Sequence, residues 1–232
     1  RTAQEIAKYG FVDIAKVDKS IYVDMMYASD FNFLGEKVHG YKANICYLTQ
    51  ATARQLSVAS ESLRRIGEEQ GRELRLLVRD CDRPQTAADQ LRAGRANPDT
   101  RMKDISVPEL STADVTQDHY ISARSGHSGG STVDVTIIET RKSEVEPLDM
   151  GTIVDFFSPK SHTYSRAISR DARENRGLLL LVMEPAFVNY RREWWHFTLR
   201  DQPYAGKQFN FDVEPTNMRV PASLLPATIE NP

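Results

Sequence analysis

The sequence predicts an α+β fold: one domain over residues 1–232 with helices packed on a mainly antiparallel sheet. Three observations point there. Short runs with alternating apolar residues recur at 74–79, 132–137 and 195–199, the period of a strand with one face buried. A helical apolar period occupies the stretch after Thr49. Strands and helices mix without strict alternation, and no repeat or Pro/Gly/Ser-rich linker splits the chain, so one mixed domain is the economical reading. The 232 residues, 40% hydrophobic and 27% charged, suffice for a real core.

In chain order, β-branched and aromatic residues from Ile21 to Tyr27 predict a strand, followed by a loop rich in Asn, Gly and Asp over 30–44. Thr49 can cap a helix running to about Glu69, with Ala53, Leu56, Leu63 and Ile66 on its apolar face and Gly71 ending it. Leu74, Leu76 and Val78 alternate with Arg75 and Arg79 as in a half-buried strand. Pro84 suits the first turn of a helix carrying Ala87, Ala88 and Leu91. Residues 94–117 are polar and irregular. Val133, Val135 and Ile137 share one face of a strand and leave Thr132, Asp134 and Thr136 on the other. A helix is expected between Tyr164 and Met183, and a last strand through Trp195, Phe197 and Leu199.

Thirty basic against thirty-two acidic residues leave a formal net charge of -2, which provides no positive field for a phosphate backbone, so nucleic acid is not an expected partner. The longest apolar run, Leu178 to Met183, is far short of the roughly 20 residues of a membrane-spanning helix. Because the chain opens at Arg1 rather than Met, a processed form that has lost an export signal is one expectation.

Two segments concentrate chemistry: Ser125-Gly126-His127 leading through Gly129 and Gly130 to Asp134, and Glu193-Trp194-Trp195-His196. Zn²⁺ accepts imidazole nitrogen and carboxylate oxygen, and a catalytic site offers three protein ligands with a fourth position for water. His127, Asp134 and His196 would supply that set, the glycines letting a loop histidine fold back beside a strand aspartate. Glu193 is then left as a base for the water. Taken singly, a loop histidine or a histidine after two tryptophans is more often an ordinary hydrogen-bonded residue than a ligand. Residues i and i+3 of an ideal strand face opposite sides, so Glu193 and His196 can cooperate only across a bulge or if Glu193 precedes the strand.

These two segments closely resemble the signature segments of VanX-like D-alanyl-D-alanine dipeptidases. The segments Tyr27 to Gly35, Arg79-Asp80-Cys81-Asp82-Arg83-Pro84 and Met150 to Asp155 with the two phenylalanines after it resemble family segments in the same order. The likeness runs from about Val12 to Asp212. It implies a zinc peptidase of bacterial cell-wall metabolism, with the metal in a central cleft and one Zn²⁺ per chain held by His127, Asp134 and His196. It further implies Glu193 as base and proton shuttle, Arg83 as the cation that polarises the scissile carbonyl, and Asp155 as the grip on the free ammonium of a small dipeptide. Ser125 and Tyr27 would line the dipeptide pocket. Read blindly, Arg83 is a salt-bridged arginine, Asp155 a solvated carboxylate, Ser125 a turn residue and Tyr27 a core aromatic. The family leads one to expect an arginine near 129 and an aromatic near 82, where this chain has Gly129 and Asp82. A related zinc carboxypeptidase acting on longer stem peptides and a non-catalytic binder of wall fragments are the alternatives.

Cys46 follows the early loop and Cys81 ends a predicted strand two residues before Arg83. A bridge between them is the expectation, contributing roughly 3–4 kcal/mol through loop closure. It would suit a periplasmic or secreted enzyme; two free buried thiols in a cytoplasmic protein are the alternative.

Overall fold

The computed structural model describes residues 2–95, 125–142 and 144–225. Most of the irregular stretch expected over 94–117 lies outside the described residues. The chain opens with α1 (Thr2–Tyr9), β1 (Phe11–Asp13) and α2 (Ile14–Val17), whose first turn is capped by the Asp13 carboxylate accepting from Ala15 N at 3.1 Å. β2 (Tyr22–Val23), β3 (Tyr47–Thr49), α3 (Gln50–Glu69), β4 (Leu74–Asp80) and α4 (Gln85–Arg95) follow. Then come β5 (Thr132–Arg141), β6 (Glu144–Pro147), α5 (Arg170–Met183), β7 (Phe187–Asn189) and β8 (His196–Leu199).

The expected strand over Ile21 to Tyr27 shrinks to β2, because the chain turns into a short 3₁₀ helix at Met26–Ala28 that buries Met26 and Tyr27. The helix after Thr49 forms as expected. Thr49 Oγ1 accepts from Thr52 N at 3.3 Å, and Leu56 and Leu63 are buried against the sheet. The turn after the helix places Gly71 at φ +66°, a left-handed conformation open to glycine.

The main sheet has the order β2-β4-β5-β8-β7, with β6 joined to the outer part of β5. Every pairing in it is antiparallel except β2 with β4, and β1 and β3 form a separate antiparallel pair. Leu74, Leu76 and Val78 of β4 and Val133, Val135 and Ile137 of β5 form the core face with Leu56, Leu63 and Leu179, all fully buried. The opposite face of β5 is not solvated. Thr132, Asp134 and Thr136 are buried as well.

Register sets the site. Asp80 of β4 pairs with Asp134 of β5, after a slip between Val78 and Asp80, and Asp134 pairs with His196 of β8. Directly opposed residues on adjacent strands share a face with Cβ atoms about 4.5–5.5 Å apart. Asp80, Asp134 and His196 therefore stand in one row across the sheet.

Candidate metal centre

His127 joins that row from a 3₁₀ turn, His127–Gly129, just before β5. Of the three glycines around it, Gly130 is the one in the left-handed region, at φ +68°, and a Cβ there would lie 2.4 Å from the Phe11 ring. Only glycine returns the chain so sharply onto β5. At Gly126 the constraint is space, since a Cβ would meet Thr132 Oγ1 at 2.9 Å. Ser125 shapes the same turn, its Oγ accepting from His127 N at 3.3 Å.

One ligand atom each from His127, Asp134 and His196 falls within 4.8 Å of the others. His127 Nδ1 lies 2.8 Å from the Cys81 carbonyl. A carbonyl only accepts, so Nδ1 carries the proton and Nε2 keeps its lone pair. That Nε2 is buried without a hydrogen-bond partner among the described residues, 3.3 Å from Asp134 Oδ2 but not aligned for a hydrogen bond. His196 Nδ1 meets the other oxygen, Asp134 Oδ1, at 3.1 Å. A histidine tied through one nitrogen to a backbone carbonyl, with its other nitrogen aimed at a carboxylate, is arranged as metal-ligating histidines are.

The electrostatics agree. Burial pushes the Asp134 carboxyl up, but His127 and His196 outweigh it and hold the group far below the usual carboxylate range. Burial disfavours imidazolium at His127, yet Asp134, with help from Asp80 and against Arg83, raises its pKa. A site that draws a proton between these groups draws a cation there for the same reason. The residues fit a metal ion.

Glu193 lies just before β8, not on it. The backbone turns so that His196 N donates to Glu193 O at 3.2 Å, and the Glu193 carboxylate comes within 3.6 Å of His196 Nδ1. The turn thus removes the facing problem posed by the i, i+3 spacing.

Arg83 is 8% exposed. Its Nε and Nη2 donate to Asp80 Oδ2 at 2.9 and 2.6 Å, and the guanidinium sits 4.9 Å from the centre of the Tyr27 ring. Burial works against its charge, but Asp80, together with Tyr27, Tyr41 and Asp134, outweighs burial and holds the Arg83 pKa well above its usual value. The Tyr27 hydroxyl donates to Asp155, which is buried and sits at φ +60°, a sparsely populated conformation for a residue with a Cβ and of the kind concentrated at functional sites. One tyrosine thus touches both the cation and the carboxylate singled out in the sequence.

Asp80 and Tyr41 were not among the expected site residues. Tyr41 OH donates to Asp80 Oδ1 at 2.6 Å. Asp80 could have been noticed three residues before Arg83; nothing local pointed to Tyr41. A cavity of about 540 Å³ lies further along the same face of β5, bordered by Leu77, Thr136, Leu148 and Trp194, and none of the predicted site residues lines it. Cys46 and Cys81 are joined in a disulfide with Cα atoms 5.3 Å apart, and the carbonyl that orients His127 belongs to one of them.

A mixed sheet presenting two imidazoles and a carboxylate to one point, with a second carboxylate beside one of the imidazoles, defines a metal-dependent hydrolase. The model of the D-Ala-D-Ala dipeptidase family (peptidase M15) matches residues 7–214, and the chain belongs to that family. It is similar to the D-alanyl-D-alanine dipeptidase of Enterococcus faecalis, 32% identical over 206 residues, 88% of this chain and 98% of the relative. That of Streptomyces coelicolor is 34% identical over 207 residues, again 88% and 98%. That of Escherichia coli is 29% identical over 217 residues, 90% and 96%.

Proposed function

We propose that this protein is a zinc dipeptidase that hydrolyses free D-alanyl-D-alanine in bacterial cell-wall metabolism. The convergence of His127, Asp134 and His196 within 4.8 Å, with Glu193 beside His196, in a chain of the dipeptidase family, carries the reading.

His127 Nε2, an Asp134 oxygen and His196 Nδ1 would hold the ion. When bound, it would supply Lewis acidity, making a water acidic enough to ionise near neutral pH and polarising the scissile carbonyl. Glu193 takes the proton of the attacking water and passes it to the leaving amine as the peptide C–N bond breaks and the new C–O bond forms. Arg83 offsets the negative charge that grows on the carbonyl oxygen. Its pairing with Asp80 holds it rigidly, so little reorganisation is needed during the reaction. Asp155, fixed by the Tyr27 hydroxyl, holds the substrate's free ammonium, which restricts the enzyme to peptides whose amino terminus lies one residue from the cleaved bond. Tyr27 forms the wall between them, and Ser125 shapes the metal turn. The disulfide supports a periplasmic or secreted location, since such bonds persist in oxidising compartments.

The test is release of D-alanine from D-Ala-D-Ala before and after chelation. Turnover should vanish on chelation and return with Zn²⁺. Turnover that survives full removal of metal, or cleavage of amino-blocked stem peptides in preference to the free dipeptide, would overturn the reading.

A further inference from the structure

We propose that Tyr41, acting through Asp80, is a positioning residue that holds Arg83 in its working pose; the inference rests on the role given to Arg83 above. Tyr41 belongs to a loop remote in sequence from every residue of the metal centre, and it is fully buried. Its backbone is pinned from both sides. Lys42 N donates to Val213 O at 2.9 Å and Val213 N to Gly40 O at 2.7 Å. Gly40, at φ +85°, packs so tightly that a Cβ there would lie 2.9 Å from the Pro84 ring. The loop is thus clamped to the residue directly after Arg83.

The division of Asp80's two oxygens is the important point. Oδ1 accepts from Tyr41 OH, and Oδ2 accepts from both Nε and Nη2 of Arg83. Oδ2 also lies 3.4 Å from His127 Nδ1, whose proton goes to the Cys81 carbonyl. The guanidinium therefore holds one oxygen of the carboxylate, and among the described residues the Tyr41 hydroxyl is the hydrogen-bond partner of the other. Without it, Oδ1 is a buried acceptor with no partner among the described residues, a costly state. Rotation about the Asp80 side-chain bond towards a water relieves that state, and the guanidinium loses its anchor. A misplacement of about 1 Å at a group acting on the transition state can cost up to about 10²-fold in rate. Because the charge Arg83 offsets develops only during reaction, the loss should fall on kcat and not on KM.

Tyr41→Phe keeps the ring and removes the hydroxyl. In the zinc-loaded protein we expect kcat for D-Ala-D-Ala to fall about tenfold, KM to stay within about twofold, and zinc content to remain one per chain. In an Arg83→Ala background the same change should cost less than about twofold more, whereas a merely structural role lowers activity equally in both backgrounds. Should Arg83→Ala push turnover below detection, solvent exchange of the ¹⁵N-labelled Arg83 Nε–H decides, and Tyr41→Phe should speed it at least about tenfold. An unchanged kcat, an equal loss in both backgrounds, unaltered Nε–H exchange, or loss of zinc overturns the proposal. Near-normal turnover in Arg83→Ala alone instead refutes the role assigned to Arg83.

Discussion

Removing the Cys46–Cys81 bridge tests how one covalent link serves both stability and the metal centre. The bond spans a sequence separation of 35 residues. In the chain-entropy model, closing a loop of that length stabilises the fold by about 4 kcal/mol. For a chain of this size each kcal/mol moves the thermal midpoint by about 2–4 °C, so Cys46→Ala/Cys81→Ala should melt about 8–16 °C lower than the oxidised protein. Reduction of the unaltered protein should give a similar drop. The bridge ties the end of β4 to the segment entering β3, and so joins the two sheets. Its effect on the metal should be smaller. Beyond Cys81 the chain stays anchored by Asp82 N on Tyr47 O at 3.1 Å and Arg83 N on His127 O at 3.4 Å, so the carbonyl that orients His127 keeps its place. Calorimetry with and without reductant reads the first effect, and competition with a chromogenic chelator the second, where we expect less than about tenfold loss of zinc affinity. Midpoints within about 2 °C for oxidised, reduced and double-alanine protein would refute the stabilising role. A loss of zinc affinity beyond about 100-fold would mean that the bridge itself positions the ligand.

Two further outcomes follow from the site. Glu193→Gln should retain zinc while kcat falls at least about 10⁴-fold, because an amide cannot take the water's proton, whereas His196→Ala should lose the metal; paired metal analysis and kinetics distinguish the two roles. Asp82 is fully buried, and neither carboxylate oxygen has a hydrogen-bond partner among the described residues. Burial, and then Asp80, pushes its pKa well above the usual range. Its proton is therefore held more tightly folded than unfolded, so its contribution to stability is full below about pH 3.9, the ordinary value, and is lost as pH rises through the folded value. Asp82→Asn should abolish that part of the decline, melting about 4–8 °C above the unaltered protein at pH 8 if about 2 kcal/mol is at stake, with a smaller gap at pH 5. Parallel melting curves across that range would contradict it.

Much of this protein was legible in its residues because the signals are local. Thr49 caps α3, the alternation at 74–79 and 132–137 marks β4 and β5, and both strands bury the expected apolar side. Where the prediction overran, from Asp24 to Tyr27, Met26 and Tyr27 are buried by a turn into a 3₁₀ helix, which local propensity does not separate from a strand. The candidate ligands His127, Asp134 and His196, with Glu193 as candidate base, were read from side-chain chemistry and family likeness together, whereas Arg83 and Asp155 were named by the likeness alone.

What the linear chain could not contain was register. Asp80, Asp134 and His196 line up because a slip between Val78 and Asp80 shifts β4 against β5 while β8 pairs Asp134 with His196, and a one-residue change in either pairing would turn the row to the other face. Such pairings are settled by the packing of the whole sheet. The same holds for Tyr41, whose hydroxyl reaches Asp80 only because the Val38 to Asn44 loop is pinned to Val213 and Pro84, and for Glu193, which a backbone turn carries to the side of His196. The sequence by itself determined which chemical groups this protein owns; tertiary structure decided which of them meet, because contacts between distant segments depend on where entire elements pack and not on any window of residues.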